Sequence, residues 1–397
     1  MRILFTCRAY VGHLLPMVPL AQALVAAGHD VACSSGPGIR AEVESRGLTF
    51  LPAGPDQMTP QQRATLFPEI SSLKEQETRA FFFGRVFTAY ELPLRAPDLA
   101  GVVDSWKPDV LVHEVAEFAG PLVASSKGIP YATHAFGPVP ADEVIAAAAA
   151  GARPHWEAAG LQPHPRAGLW RHLYLDICPT SMQRGAPAGA PAVRQVRPAE
   201  RTAARRPRSK PMVYVTLGTV YNTEVGVFRT ILEGLEDQPV EVLVTVGAKG
   251  DPAALGPRSA NVRVERFLPQ AEVLPECAAV VTHGGAGTTL GALAFGCPLL
   301  LVPQGADQFV NAERVAALGA GLRLLPRDLS ASAVRESVGR LLREPSFAAA
   351  ARRLSDEIAA MPGAGAAVTA IEHLAAERRT NRRGQEGPPE RPLLERP

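Results

Sequence analysis

The sequence contains few cysteines, and they form no recognisable framework. Five occur among 397 residues, they are scattered, and no Cys-x-x-Cys pair is present. This pattern disfavours a disulfide scaffold or a structural zinc site and is typical of a reducing compartment. The chain also lacks an excess of one charge, with 41 basic against 39 acidic residues. Nucleic acid is therefore not an expected partner.

Long apolar runs are absent as well. No stretch approaches the ~20 residues that a membrane-spanning helix needs. The first apolar run, at residues 3–5, has the length of a short strand rather than of a signal-peptide core. We therefore expect a cytoplasmic protein with no membrane span.

Short apolar runs alternate with amphipathic helical stretches along most of the chain, which is the pattern of β-α-β units. The alternation stops and restarts, and 397 residues exceed one ordinary core. The predicted fold class is therefore α/β, with two tandem Rossmann-like, doubly wound domains and a cleft between them. The predicted strands are 3–7, 30–34, 110–113, 131–133, 212–217, 241–246, 262–266, 279–282 and 298–302.

Changes in composition predict the domain boundaries. An N-terminal domain spans 1–182 and a C-terminal domain spans 212–376. Residues 183–211, rich in Pro, Ala, Gly and Arg, are predicted to be a linker, and 377–397 a disordered tail. The linker arginines are interpreted as a solvated strap rather than a nucleic-acid patch, because no aromatic residue interrupts them.

The strongest motif is the loop His-Gly-Gly-Ala-Gly-Thr at 283–288, between an apolar strand and a helix. Glycines let the backbone approach an anion, and the N–H groups at a helix start stabilise phosphate charge. His283 can add a direct donor. No lysine is present and the spacing is neither Walker A nor GxGxxG, which disfavours an NTPase or a dehydrogenase. The alternative is a packing turn around a satisfied histidine.

Three more strand-end loops carry side chains suited to a ligand. Asp307 and Gln308 follow the strand at 298–302, and the other residues concerned are Phe267, Leu268 and Thr219. Because ligands of open α/β sheets bind at the carboxyl ends of the strands, these loops should face one crevice. Asp307 and Gln308 suit sugar hydroxyls, although such a pair alone is most often a helix N-cap.

In the first half, His13 follows the first strand and opens the first helix, so it should face the other domain. Histidine side chains have a reference pKa of about 6.5 and are suited to remove a hydroxyl proton near neutral pH. Alone, a histidine at this place is more often a helix cap or a core residue.

The run 266–311 resembles the donor-binding signature of GT-B glycosyltransferases, similar to the UDP-glycosyltransferase superfamily. Its His-Gly-Gly-Ala-Gly-Thr form is typical of bacterial enzymes that act on macrolide, enediyne and glycopeptide antibiotics. The similarity covers nearly the whole chain outside the linker and tail. It implies a nucleotide-sugar donor whose base lies at Phe267 and Leu268 and whose sugar hydroxyls lie at Asp307 and Gln308. The implied diphosphate-binding residues are Thr219, His283, Gly284, Gly285, Gly287 and Thr288.

The resemblance also implies a reaction. It is an inverting, metal-independent transfer of a (deoxy)sugar from a nucleoside diphosphate, dTDP in the bacterial relatives, to a hydroxyl of a hydrophobic aglycone such as an enediyne or macrolide antibiotic. His13 matches the family's Gly-His-x-x-Pro histidine, the general base. No Asp-x-Asp occurs in the chain, so no metal or other cofactor is expected. A homodimer is left open.

This sequence departs from the family where the base needs an orienting partner. The family commonly has an aspartate after a mid-domain strand, and here the residue is Glu114. Glu114 is one methylene longer, so it either orients His13 or is an exposed strand-end carboxylate. For the acceptor, residues 52–91, predicted to be long and irregular, and 134–140 supply Phe82 and Phe136 as a predicted wall, with core packing as the alternative.

Two other functions fit the same architecture. A sugar-nucleotide 2-epimerase would need carboxylates at the anomeric position and no acceptor pocket. A non-catalytic auxiliary partner of a glycosyltransferase would need neither His13 nor the complete 283–288 loop. The presence of both favours a transferase.

Overall fold

A computed structural model of the chain describes residues 1–73, 75–183, 185, 190, 192–198, 204–206, 208–218, 225–247 and 250–385. Within these residues, thirteen strands form two parallel sheets, one in each half of the chain, which confirms the predicted pair of α/β domains. The N-terminal sheet contains β1 Arg2–Thr6, β2 Asp30–Ser35, β3 Thr49–Pro52, β4 Val110–Glu114, β5 Tyr131–His134, β6 Leu173–Asp176 and β7 Val193–Gln195. The C-terminal sheet contains β8 Met212–Thr216, β9 Glu241–Thr245, β10 Val262–Glu265, β11 Cys277–Thr282, β12 Leu299–Leu301 and β13 Gly321–Arg323.

Helices cover both faces of the sheets. The α-helices are α1 Val11–Leu14, α2 Val18–Ala26, α3 Arg40–Glu44, α4 Pro60–Leu66, α5 Glu75–Phe81, α6 Leu92–Trp106, α7 Ala119–Ser126, α8 Asp142–Ala158, α9 Val225–Leu235, α10 Gln270–Val273, α11 Ala286–Ala294, α12 Gln308–Ala317, α13 Ala331–Arg343, α14 Pro345–Ala360 and α15 Ala364–Gln385. The 3₁₀ turns are Leu15–Met17, Pro37–Ile39, Pro68–Ser72, Thr180–Met182, Pro252–Leu255, Leu274–Glu276 and Pro326–Asp328, and Phe82–Glu91 is a π-helix. Because both faces of the sheets are covered, central strands such as β4 and β8 are buried throughout.

The strand orders place a crevice in each domain. The N-terminal order is β3-β2-β1-β4-β5-β6-β7 and the C-terminal order is β10-β9-β8-β11-β12-β13. In each sheet the chain reverses direction across the sheet between two central strands, β1 and β4 in the first and β8 and β11 in the second. Ligands of open α/β sheets bind beyond the carboxyl ends of the strands at such points. The loops after these four strands are therefore placed to line a site.

The predicted linker is partly a strand. Residues 193–195 form β7, which pairs in parallel with β6 at the edge of the N-terminal sheet, so the N-terminal domain extends beyond residue 182. The prediction failed because a three-residue edge strand is too short to show periodicity. The arginines of this segment also do more than form a solvated strap. Arg205 donates to the carbonyl oxygens of Cys277 and Gly296, at 2.6 and 3.0 Å.

The C-terminal boundary also differs from the prediction. α15 runs to residue 385, so 377–385 is helical rather than disordered, and residues 386–397 lie outside the described part. Its apolar positions pack on α2 of the N-terminal domain, and Glu372 Oε1 lies 3.0 Å from His29 Nε2. Alanine, glutamate and arginine have high helix propensity, so the packed first turns extend into the charged ones. The buried residues of α15 are Ala367, Val368, Ile371, Leu374 and Ala375.

Residues 52–91 are mostly helical, which corrects the prediction of a long irregular region. They contain α4, α5 and the π-helix Phe82–Glu91. The sequence did carry one signal for this: Thr59 and Gln62 form a reciprocal capping box at the start of α4. The aromatic side chains of the region pack on one another around Phe67 and Val86, forming a small separate core.

Candidate active site

His13 and Glu114 meet at the carboxyl edge of the N-terminal sheet. β1 pairs with β4, so the loop after β1 lies beside the end of β4 although the two residues are 101 positions apart. His13 lies in the first turn of α1, and its Nδ1 is 2.8 Å from Glu114 Oε1. The His13 side chain is 20% exposed and that of Glu114 is fully buried. The structure therefore contains the hydrogen bond that the sequence left open.

Glu114 is held as a carboxylate although it is buried. Burial alone would raise its pKa, but His13, the Ala116 N–H and Arg8 lower it, and the net direction is downward. The Ala116 N–H donates to Oε2 at 2.5 Å, and the Arg8 N–H lies 3.5 Å from Oε1. An ionised carboxylate can only accept hydrogen bonds. The Nδ1 of His13 must therefore be the donor, which leaves Nε2 as the basic nitrogen of the neutral ring.

In the other domain, the His283 ring lies between two glycines. It follows β11, next to the Gly218 turn after β8, and the ring is packed between Gly218 and Gly285. Burial lowers the pKa of His283 to about 4, with Asp307 and a hydrogen bond to the Thr216 backbone acting in the opposite direction. His283 is thus neutral near pH 7. It can offer an N–H donor there but carries no positive charge.

This packing gives a direct steric prediction for the loop. A Cβ on Gly285 would lie 2.5 Å from His283 Nε2, whereas no described atom lies within 4 Å of a Cβ on Gly287. We expect Gly285→Ala to lower the free energy of unfolding by about 1–3 kcal/mol through overpacking. Gly287→Ala, the matched control two residues away in the first turn of α11, should keep or slightly raise it, because alanine favours the helix and meets no atom. Thermal or chemical denaturation of both variants measures the difference, and equal stability would contradict the packing.

The predicted sugar-binding pair occupies the loop between β12 and α12. Asp307 is half-buried, and its Oδ2 accepts a hydrogen bond from Asn311 Nδ2 at 2.9 Å. Gln308 is buried, and its Oε1 accepts the N–H groups of Gln304 and Gly305 at 2.7 and 3.1 Å. The Oε1 of Gln308 therefore holds the loop, and its Nε2 amide is the group that can face a ligand.

Asn311 was missed by the sequence analysis. Its Nδ2 also donates to the Gly284 carbonyl at 2.8 Å, so it joins the Asp307 loop to the 283–288 loop. Its Oδ1 is buried and has no hydrogen-bond partner among the described residues. The sequence signal was available, since Asn311 lies one helical turn after Asp307 on the same face of α12.

The remaining predicted donor residues lie at the same edge. Phe267 is 62% exposed and Leu268 is half-buried after β10. The hydroxyl of Thr288 accepts a hydrogen bond from Gln270 Nε2 at 3.0 Å, in the first turns of α11. Thr219, predicted to lie beside the phosphates, is outside the described residues.

A short loop of the N-terminal domain connects the two halves of the site. The Phe136 ring is 5.1 Å from the His13 ring, centroid to centroid. The Cβ position of the next residue, Gly137, lies 3.1 Å from Ala286 Cβ and 4.0 Å from Asp307 Oδ2. The structure thus brings the predicted base, one predicted acceptor residue and the donor loops together.

Phe82, the second predicted acceptor residue, lies further along the N-terminal domain. It is half-buried in the π-helix and packs against Phe81 and Phe87 at centroid distances of 6.4 and 5.8 Å. Phe87 in turn contacts the guanidinium of Arg8. Phe82 is therefore part of the small aromatic core, where its ring packs on those of Phe81 and Phe87.

Two features are absent from the described residues. No group of three or more His, Cys, Asp or Glu side chains is arranged to hold a metal ion. No single helix is both long and apolar enough to cross a membrane, although the pair Pro345–Ala360 and Ala364–Glu377, bent by 41°, passes that test together on length and composition.

Known proteins match most of the chain. Residues 22–197 and 229–374 match the N-terminal and C-terminal domains of the erythromycin biosynthesis protein CIII-like family. The L-demethylnoviosyl transferase of Streptomyces niveus is 33% identical, with 96% of this chain and 99% of the relative covered. The elloramycin glycosyltransferase ElmGT of Streptomyces olivaceus is 35% identical, with 94% and 97% covered.

A solved structure agrees with this match. The glycosyltransferase VinC in complex with dTDP has a TM-score of 0.76 and 27% identity, covering 95% of this chain and 100% of that chain. The two facing parallel-sheet domains are thus the GT-B architecture that the sequence predicted. The chain belongs to the erythromycin biosynthesis protein CIII-like family, and it is a hexosyltransferase of the antibiotic-biosynthesis type. These relatives are sugar transferases by name, so the epimerase alternative has no support among them.

Proposed function

We propose that this enzyme transfers a sugar from a dTDP-sugar to a hydroxyl of a hydrophobic natural-product aglycone, with inversion at the anomeric carbon and with His13 as the general base. The observation that carries the proposal is the 2.8 Å hydrogen bond between His13 Nδ1 and the buried Glu114 carboxylate. It lies in the interdomain cleft, next to the Phe136–Gly137 loop that touches the donor side.

The proton moves by a short path. Because Glu114 fixes the proton on Nδ1, the lone pair of Nε2 is available to an acceptor hydroxyl in the cleft. As the acceptor oxygen attacks the anomeric carbon, its proton passes to Nε2. The resulting imidazolium is stabilised by the Glu114 carboxylate, which stays ionised.

The leaving group departs on the opposite side of the sugar. The bond between the anomeric carbon and the diphosphate oxygen breaks with its electron pair remaining on oxygen, so one direct displacement inverts the configuration. The negative charge then lies against the N–H groups at the start of α11 and the N–H of His283. These N–H donors stabilise the negative charge without a metal ion. We therefore expect transfer to persist in EDTA.

Two observations support the choice of substrates. Phe267 offers an exposed aromatic face where a base can stack, and the similar enzyme VinC was solved with dTDP. On the acceptor side, Phe136 next to His13 provides apolar surface for an aglycone such as a macrolide or an enediyne. Asp307 can accept from a sugar hydroxyl or amino group.

The test is a two-stage screen of the full chain. Thermal shifts with dTDP, UDP, GDP and ADP should be largest for dTDP, because the tightest ligand raises the midpoint most by mass action. Incubation with dTDP-glucose or dTDP-rhamnose and a panel of macrolide and polyphenol acceptors should then release dTDP and form a glycoside of inverted configuration. Equal shifts with all four nucleotides, retained configuration or an isomerised sugar from donor alone would overturn the proposal.

His283 gives a separate prediction about donor binding. Replacing it by alanine removes a donor to the diphosphate and should weaken dTDP binding by about 10-fold, the size expected for one hydrogen bond to a charged group. Isothermal titration calorimetry measures this. His373→Ala, an exposed histidine of α15, is the control. Unchanged dTDP affinity in His283→Ala would exclude the phosphate contact.

A further inference from the structure

A buried ion pair between Arg8 and Glu91 lies next to the His13–Glu114 pair. Arg8, two residues beyond β1, donates from Nε to Glu91 Oε2 at 2.6 Å and from Nη2 to Oε1 at 2.7 Å. The exposed fractions of the two side chains are 6% and 12%. Such a bidentate contact fixes both groups in one geometry. Neither residue belongs to a motif that could be recognised in the sequence.

This ion pair is poorly explained by stability alone. Removing two charges from water costs free energy that their attraction only offsets when the geometry is good, and an apolar pair of similar volume often serves a core equally well. The ion pair is therefore better explained by the segments that Arg8 and Glu91 fix relative to each other. Arg8 precedes the loop with His13, and Glu91 ends the π-helix.

A continuous series of contacts runs from the π-helix to the base. The Arg8 guanidinium lies 3.7 Å from the ring centroid of Phe87 and 4.8 Å from that of Tyr10. The Tyr10 ring is 5.4 Å from the His13 ring. The backbone N–H of Arg8 also approaches Glu114 Oε1, the oxygen bonded to His13. A π-helix is rare and frequently marks a functional site, and here it supplies Glu91 and Phe87, two of the groups that contact the Arg8 side chain.

Glu91 also borders a cavity within the segment 52–91, from which we expect contacts to the acceptor. It lines this cavity of about 200 Å³ together with Asp56, Gln62 and Tyr90. An acceptor that fills this cavity touches Glu91, which holds Arg8, which touches Tyr10 and Glu114. The ion pair is thus placed between the acceptor region and the proton-transfer pair.

The charged surroundings favour a role for Arg8 in the electrostatics of the His13–Glu114 pair. Arg8 is one of the groups that lower the pKa of Glu114, after His13 and the Ala116 N–H. The other titratable or charged groups packed around the pair are Cys7, Tyr10, Glu91, Arg95, His113, Glu117 and His134. Burial lowers the pKa of His113 and of His134 to about 4, so these two histidines are neutral.

We propose that Arg8, fixed by Glu91, is a positioning residue that aligns Tyr10, His13 and Glu114 and connects the acceptor-side π-helix to the general base. This inference rests on the proposed role of His13. It predicts effects on proton transfer that a purely structural ion pair would not cause.

The test follows the titration of His13 in the full-length enzyme by NMR, with its imidazole resonance identified by its loss in His13→Gln. The Arg8 cation beside the His13–Glu114 pair disfavours the imidazolium form of His13. Arg8→Met should therefore move the titration to higher pH by about one unit, and Glu91→Gln, which leaves the cation uncompensated, should move it to lower pH. Arg8→Lys keeps the charge and should leave the titration in place.

Turnover with the best donor–acceptor pair of the screen separates charge from geometry. Arg8→Met and Arg8→Lys should both lower kcat by about 10- to 100-fold, because misalignment of a reacting group is costly, while dTDP affinity by calorimetry stays unchanged. Arg40→Met is the matched control, since Arg40 also stacks on a phenylalanine, Phe50, and pairs with Glu44, but at the surface.

Three outcomes would overturn the inference: unshifted titrations in both Arg8→Met and Glu91→Gln, shifts in the same direction, or wild-type kcat in Arg8→Met. His13→Ala in the same assay keeps the two proposals distinguishable. If His13→Ala is inactive and Arg8→Met behaves as wild type, only the positioning role fails. If His13→Ala remains active, the proposed base itself is wrong.

Discussion

Replacing His13 by alanine should reduce sugar transfer by about 100- to 10,000-fold, the range that a positioned general base contributes. The physical reason is that an acceptor hydroxyl is a weak nucleophile until its proton is removed, and Nε2 of His13 is the basic atom that the Glu114 hydrogen bond leaves available. The proposed donor site lies in the other domain, around His283 and Asp307. We therefore expect kcat to collapse while dTDP affinity, measured by calorimetry, stays within error of wild type.

The His13 experiment needs a control for the loss of a histidine. His373→Ala removes an exposed histidine from α15 and should leave both turnover and dTDP binding intact. A His13→Ala variant that loses turnover and dTDP affinity in equal measure would show that the residue belongs to the donor site. A variant that retains turnover would show that another group takes the proton.

Glu114 is expected to give the second large effect, and glutamine is the informative substitution. In Glu114→Gln, one end of the amide must face the Ala116 N–H, which now donates to Oε2 at 2.5 Å. That N–H requires an acceptor, so the amide oxygen turns toward Ala116 and the NH₂ group toward His13. The NH₂ donates to Nδ1, the ring proton moves to Nε2, and the base loses its lone pair. We expect a loss of about 100- to 10,000-fold in kcat.

Aspartate at position 114 distinguishes the loss of the carboxylate from a change in side-chain length. Glu114→Asp restores the residue that the resemblance leads one to expect and keeps an acceptor for Nδ1–H, but it is one methylene too short to contact both His13 and the Ala116 N–H. A loss of about 10-fold is expected, smaller than that of glutamine. The comparison uses kcat for both variants, with dTDP binding as the check on folding. If kcat of Glu114→Gln equals or exceeds that of Glu114→Asp, Glu114 does not orient His13.

The predicted strands were largely right because their signals are local. β1, β2, β4, β5, β8, β9, β10, β11 and β12 agree with prediction to within about two residues, since a buried parallel strand is a continuous apolar run. The strands that were missed are only three or four residues long, and three of the four lie at sheet edges: β3, β7 and β13 at the edges, and β6 between β5 and β7. The helices of 52–91 were missed because aromatic residues there pack on one another, outside the main core.

The site was predictable to the extent that each of its loops follows a strand. The 283–288 loop, Asp307 and His13 could be placed at one edge of a sheet because parallel strands all end at the same edge. Whether Glu114 reaches His13 could not be read in this way. The answer depends on β4 lying next to β1, and on a separation of 101 residues being closed by the fold.

The sequence by itself therefore determined the fold class, the two-domain plan and the chemistry available at the ends of the strands. Only the tertiary structure decided which side chains meet: Glu114 with His13, Phe136 with His13, and Arg8 with Glu91. It also decided that α15 returns to the N-terminal domain. The physical reason is that apolar periodicity and glycine-rich turns act over a few residues, whereas strand order and domain contact bring together side chains that no local pattern relates.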